Sequence, residues 1–135
     1  MILANDLFVD SNVILYLLDA KNNKSQISKE ILGKHPNINA QVLVEVVNVC
    51  KRKFGYSKSE CISLWKDICQ TCEIVPIAAS TLKLCGSLVE KYDFQLFDSI
   101  IVASALESDC DILCSEDMHH TLLVEERLTI INPFL

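Results

Sequence analysis

Short apolar runs alternate with longer stretches of helical spacing along this chain of 135 residues. "LFVD" (7–10), a run entered from the turn "PNINA" (36–40), "EIVPIA" (73–78), "DILCS" (111–115) and "LTIIN" (128–132) read as strands. Between them, helices are expected over about 12–18, from after the loop "NNKSQ" to about Lys34, and over about 41–54. "SKSE" (57–60) has the spacing of a capping box and opens a further helix to about Cys72. Two more carry Leu82, Cys85, Val89 and Tyr92, and residues 96–107; the last is apolar on nearly all sides and so is expected to be buried. Strands alternating with helices specify an α/β layered fold with a mostly parallel sheet. Three glycines and three prolines in the whole chain suit long helices and short strands.

No repeat, low-complexity tract or Pro/Gly linker divides the chain, so a single domain over 1–135 is expected. No uncharged apolar run reaches the roughly 18–20 residues of a membrane span. "MILANDLFVD" lacks the basic start of a signal peptide, and a cytoplasmic location is expected. Seven cysteines are an odd number, which argues against a disulfide framework. The helical spacing instead places Cys61, Cys69 and Cys72 beside Trp65 and Ile68, and Cys85 beside Leu82 and Val89, as small hydrophobes. Cys69 and Cys72 form a C-x-x-C with no second pair at zinc-ribbon spacing.

In parallel sheets, ligands bind beyond the carboxyl ends of the strands. Asp10 directly follows "LFV", and Asp117 follows "ILCS". In "QVLVEVVNVC", Val42, Leu43, Val46, Val47, Val49 and Cys50 make one broad apolar face. Gln41, Glu45, Asn48 and Arg52 fall on a narrow strip beside it, either an ordinary solvated strip or the edge of a site. Asp98, in "QLFDSIIVASALE", shares a stripe with Ile101, Val102 and Ala105, and is also a candidate helix N-cap. Ser11 and Ser115 flank two of the acids, where they either orient a site or make ordinary turn hydrogen bonds. His119 and His120 read as a polar loop before they read as ligands.

The net charge of −6 argues against a nucleic-acid binder unless bound cations reverse the local field. Lys51, Arg52 and Lys53 cluster where a helix end favours positive charge. Four carboxylates gathered at one sheet edge would repel, and divalent cations would offset them. Oxygen-only donors suit Mg²⁺ or Mn²⁺. The chemistry that uses such a site is phosphodiester hydrolysis by an activated water.

"FVDSNVILYLLD", "VLVEVVNV", "LFDSIIVASALES" and "ILCSEDMHH…LTIINPF" resemble, in order and spacing, the PIN-domain ribonucleases, and among them the VapC-type toxins of toxin–antitoxin pairs. The resemblance covers nearly the whole chain. It implies a three-layer α/β/α fold with a central parallel sheet, and Mg²⁺- or Mn²⁺-dependent cleavage of RNA. Asp10, Glu45, Asp98 and Asp117 match the family's acidic quartet, and Asn12 and Ser115 match polar positions beside it. Such toxins commonly dimerise and are held inactive by an antitoxin whose tail enters the acidic groove. Many relatives have a glycine soon after the fourth acid where this chain has Thr121, so the loop carrying Asp117 is free to differ in shape.

Other readings fit less well. A receiver domain needs paired acids after its first strand, and a dehalogenase-like phosphatase needs D-x-D where residue 12 is asparagine. No P-loop motif is present. A stand-alone RNA-processing nuclease and a catalytically silent PIN-like binding module are the remaining alternatives.

Overall fold

The computed structural model describes residues 6–19 and 21–135. Residues 1–5 of the stretch read above as unlike a signal peptide lie outside the described residues. The elements run β1 (Leu7–Val9), α1 (Ser11–Leu18), α2 (Ser25–Leu32), β2 (Asn37–Asn39), α3 (Ala40–Lys53), α4 (Lys58–Thr71), β3 (Glu73–Val75), α5 (Ala79–Tyr92), α6 (Leu96–Glu107), β4 (Ile112–Cys114), β5 (Leu123–Val124) and β6 (Leu128–Ile131).

The sheet order is β3-β2-β1-β4-β6-β5. Every neighbouring pair is parallel except the hairpin β5–β6. From β1 to β2 to β3 the chain steps in one direction, so right-handed crossovers place α1–α4 on one face. It then returns past β1 to β4, and α5 and α6 cover the opposite face. The result is the expected three-layer α/β/α arrangement. Phe8, Val9, Ile38, Leu113 and Ile130 are fully buried between the layers. Each side chain of this size contributes roughly 1.5–3 kcal/mol by leaving water. No described helix is long and apolar enough to cross a membrane.

Local signals explain most boundaries. Ser57 caps α4 by accepting from the Glu60 N–H, and the Glu60 carboxylate accepts from the Ser57 N–H in return. Helix α6 is buried on almost every side, from Ser99 to Leu106. Lys51, Arg52 and Lys53 occupy the last turn of α3, where positive charge suits the dipole.

Five expectations need correction. The strand expected after the turn "PNINA" is Asn37–Asn39 within that stretch, and it runs directly into α3. Strand β5 was not expected. The run 73–78 is a strand only to Val75, with Pro76 beyond it unable to donate to a ladder. In α4 the packed residues are Leu64 and Ile68, whereas Trp65 is 42% exposed and Cys69 also faces outward. Of the expected stripe, Ile68 and Cys72 are buried, while Trp65 and Cys69 are not. In α5 the buried stripe is Thr81, Cys85 and Leu88, and Leu82 is exposed.

All seven cysteines are free. Burial pushes the Cys72 thiol up to about 12, which leaves it a poor nucleophile beside the exposed Cys69.

Candidate active site

The strand order reverses between β1 and β4. That switch point is where a parallel sheet opens a crevice. Asp10 follows β1 and Ser115 follows β4, and their side chains meet across it. Val9 pairs with Cys114, and the Asp10 N–H donates to the Cys114 carbonyl at 2.9 Å. This register places the Ser115 hydroxyl where it donates to Asp10 Oδ2 at 2.8 Å. The Ser11 N–H donates to Asp10 Oδ1 at 2.7 Å. Asp10, Ser11 and Ser115 are all buried. The Ser11 bond is local to the turn, whereas the Ser115 bond joins the ends of two neighbouring strands.

Asp10 opens onto a cleft of about 490 Å³ that Ser11, Glu45, Asp98 and Asp117 also line. Three different helices or helix ends and one loop bring the four acids to one place. Glu45 lies on the exposed side of α3, and Gln41 and Asn48 of the same strip line the cleft with it. Arg52 of that strip does not. Asp98 is not the N-cap of α6; that position is Gln95, and Asp98 sits in the first turn. There the helix dipole favours its negative charge. Asp117 is exposed and accepts from Asn12 Nδ2 at 3.2 Å.

The electrostatics show that these acids feel one another. Burial pushes the Asp10 carboxyl up to about 6, with repulsion from Asp98 and Glu45 adding to it. The hydrogen bonds from Ser115 and Ser11 oppose that rise by favouring the charged form. Asp98 is also raised, first by burial, then by Asp117 and Glu45. No lysine or arginine lines the cleft to offset this repulsion. An oxygen-only set of mutually repelling carboxylates fits a hard divalent cation. Among the described residues, no group of three or more His, Cys, Asp or Glu is placed to hold an ion as it stands. Mg²⁺ is compatible with that spacing, since it takes one or two carboxylates and keeps waters or substrate oxygens for the rest.

Several residues of this region carry no local sequence signal. The Glu116 carboxylate accepts hydrogen bonds from Tyr16 and Lys24, and its N–H donates to Asn12 Oδ1 at 3.4 Å. The Lys24 ammonium also lies over the Tyr16 ring, 4.7 Å from its centroid, and the Phe134 ring meets Tyr16 edge-on. These partners come from opposite ends of the chain, so no motif could reveal them. Asn39 was legible in principle as an N-cap before "AQVL". It caps α3 through the Val42 N–H and donates to Ser104 Oγ on α6 at 2.9 Å. Gln41 Nε2 donates to the Phe97 carbonyl at 3.2 Å, a second tie between the same helices. Its buried amide oxygen has no partner among the described residues. His120 Nδ1 accepts from the Asn132 N–H at 2.9 Å, a loop tether rather than a ligand arrangement.

A profile of the PIN domain matches residues 7–121. The chain belongs to the PIN-domain family. Solved structures share this PIN fold over most of its length. A toxin–antitoxin complex from Klebsiella pneumoniae is 18% identical, covers 94% of this chain and 97% of its own, and has a TM-score of 0.72. FitAcB from Neisseria gonorrhoeae is 14% identical over 95% and 98%, with a TM-score of 0.68. VapC20 of Mycobacterium tuberculosis, described as a toxin that cleaves the sarcin–ricin loop, is 14% identical over 79% and 86%, with a TM-score of 0.65. A comparison with curated protein sequences returns no match. At these identities the likeness establishes the PIN fold, and the chemistry has to be argued from the cleft.

Proposed function

We propose that this PIN-domain chain is a metal-dependent endoribonuclease acting as the toxin of a toxin–antitoxin pair. The observation that carries the reading is the cleft at the β1–β4 switch point, where Asp10, Glu45, Asp98 and Asp117 converge with no basic residue among them. The structural neighbours described as a toxin–antitoxin complex and as an RNA-loop-cleaving toxin support the biological role.

Asp10, Glu45, Asp98 and Asp117 are the residues assigned to hold Mg²⁺ or Mn²⁺. When bound, the cation supplies an activated water and offsets charge on the phosphate. The chain's own groups prepare the site. Ser115 and Ser11 fix both oxygens of Asp10, so its carboxylate does not have to reorient. Asn12 orients Asp117 through Nδ2. The Asn39–Ser104 bond fixes the spacing of the helices that carry Glu45 and Asp98. An acidic cleft also suits an arginine or lysine from an antitoxin. A homodimer, or a hetero-oligomer with that partner, is the expected assembly.

The test is RNA cleavage by the purified chain, freed of any partner, with Mn²⁺ or EDTA, beside Asp10→Asn and Asp98→Asn. Cleavage that requires the cation and disappears in both variants is the expected result. Cleavage that survives both would sink the site assignment. Binding of RNA without any cleavage would favour a silent PIN-like module.

A further inference from the structure

Phe97 directly precedes Asp98, yet its side chain is 74% exposed. Helix α6 is buried nearly all round from Ser99 onward, and its exposed start carries Leu96, 73% exposed, as well as Phe97. Of these two, Phe97 is the one that lines the same cleft as the four acids. So does Val44, which directly precedes Glu45 and is 51% exposed. The exposed amides of Asn48 and Gln95 line it as well. The cleft therefore has two chemistries: carboxylates, and an apolar surface with amide groups beside it.

A substrate phosphate at the acids would gain nothing from lysine or arginine inside the cleft. The cluster Lys51–Lys53 lies roughly 10 Å farther along α3 from Glu45, at a rise of about 1.5 Å per residue. The chain as a whole carries −6. An RNA held there needs an attraction that does not depend on net charge. Stacking on an aromatic face is such an attraction, and every base offers a π-face. The ring is also well mounted. It sits on a helix rather than a loop, and Gln41 pins its backbone carbonyl to α3.

We propose that Phe97 is the stacking platform for a base of single-stranded RNA beside the bond held at the acids. Val44 completes the apolar surface, and Asn48 and Gln95 supply hydrogen-bonding groups for the base edge. This subsite rests on the nuclease reading and specifies its substrate as unpaired RNA. A base splayed from a helix would lose its own stacking, and Phe97 replaces it.

The test is steady-state cleavage of a random-sequence single-stranded RNA pool carrying a fluorophore and a quencher. Wild type is compared with Phe97→Trp, Phe97→Leu and Phe97→Ala, with the mass of each in solution measured by light scattering. Phe97 is exposed, so all three variants should fold. Loss of stacking should raise KM about fivefold to a hundredfold in both the Leu and Ala variants. The Trp variant should match wild type or lower KM, kcat should change little, and the mass should stay constant. An unchanged KM in Phe97→Ala, or a Leu variant that matches wild type, overturns the stacking role. A fall in mass in Phe97→Ala overturns it too, and assigns the ring to an interface between copies. A chain that cuts folded RNA but not this pool removes the single-stranded substrate and leaves the nuclease reading standing. A chain that cuts neither removes both.

Discussion

Asp10 is buried at 5% exposure, and its carboxyl is raised from 3.8 to about 6. Because the folded value lies above the unfolded one, the folded chain keeps this proton longer. Stability from this group is fully present below 3.8 and is lost as pH rises through about 6. A shift of this size corresponds to roughly 2–3 kcal/mol at most. Thermal unfolding in EDTA should therefore show Asp10→Asn more stable than wild type at pH 8, with the difference shrinking toward pH 4. An Asn variant less stable than wild type at pH 8 would mean that the Ser115 and Ser11 bonds outweigh burial. Thr121 is the second informative residue. Its φ is +72°, the left-handed region that a β-branched side chain resists. The sequence marked this position, but not its backbone, which is held in a conformation that glycine adopts more easily. That conformation costs about 1–2 kcal/mol, and glycine's extra freedom when unfolded returns about half of it. Thr121→Gly should raise Tm by about 2–4 °C, read by calorimetry. A lower Tm would show that the Thr121 hydroxyl bond to the His120 carbonyl matters more than the strain.

Elements were legible where one strong signal marked them: the apolar face of α3, the capping box of α4 and the all-round apolar character of α6. They were obscure where short-range signals were missing. Strand β5 has two residues, and its turn to β6 uses Glu125 and Glu126, both at positive φ, where hairpins usually show Asn-Gly or Asp-Gly. Without that signal the hairpin could not be read. The structure secures it instead from α5: Tyr92 accepts from the Glu125 N–H at 2.9 Å, and Lys91 and Tyr92 both donate to its carboxylate. The buried face of α4 is a similar case, since its wheel carries Leu64 and Ile68 beside Ile62 and Trp65, and only packing against neighbours selects between them. The acids that line the cleft were legible because each follows a strand or interrupts an apolar helix. The ties that space their helices were not, because they join distant residues. Asn39 is the strongest of these. Asn39→Ala removes the α3 cap and leaves Ser104 Oγ without its buried partner. Chemical denaturation should show a loss of about 2–3 kcal/mol. Ser104→Ala removes only the bridge and should cost about 1 kcal/mol. Equal losses would mean that the bridge, not the cap, dominates.

At the scale of the whole molecule, the puzzle is an acidic chain assigned to an acidic polymer. The net charge counts the four cleft carboxylates as fully negative, although burial and mutual repulsion raise two of them. The folded chain therefore holds unfavourable charge that the unfolded chain relieves by separation. A ligand that binds only the folded arrangement reverses this, and stabilises it in proportion to the logarithm of its concentration. At a hundredfold excess over its Kd, a divalent cation adds about 2.7 kcal/mol. With the unfolding entropy typical of a chain this long, that corresponds to a rise in Tm of roughly 8–10 °C. Titration of Mn²⁺ into wild type should show that rise and EDTA should reverse it. Asp10→Asn and Asp98→Asn should each lose most of the response. Lys51→Ala, outside the cleft, should keep it. A response equal in all four proteins would mean that the cation acts on net charge in general, and the cleft would lose its claim as the metal centre. A response confined to the cleft would tie the cation to the carboxylates without any reference to cleavage.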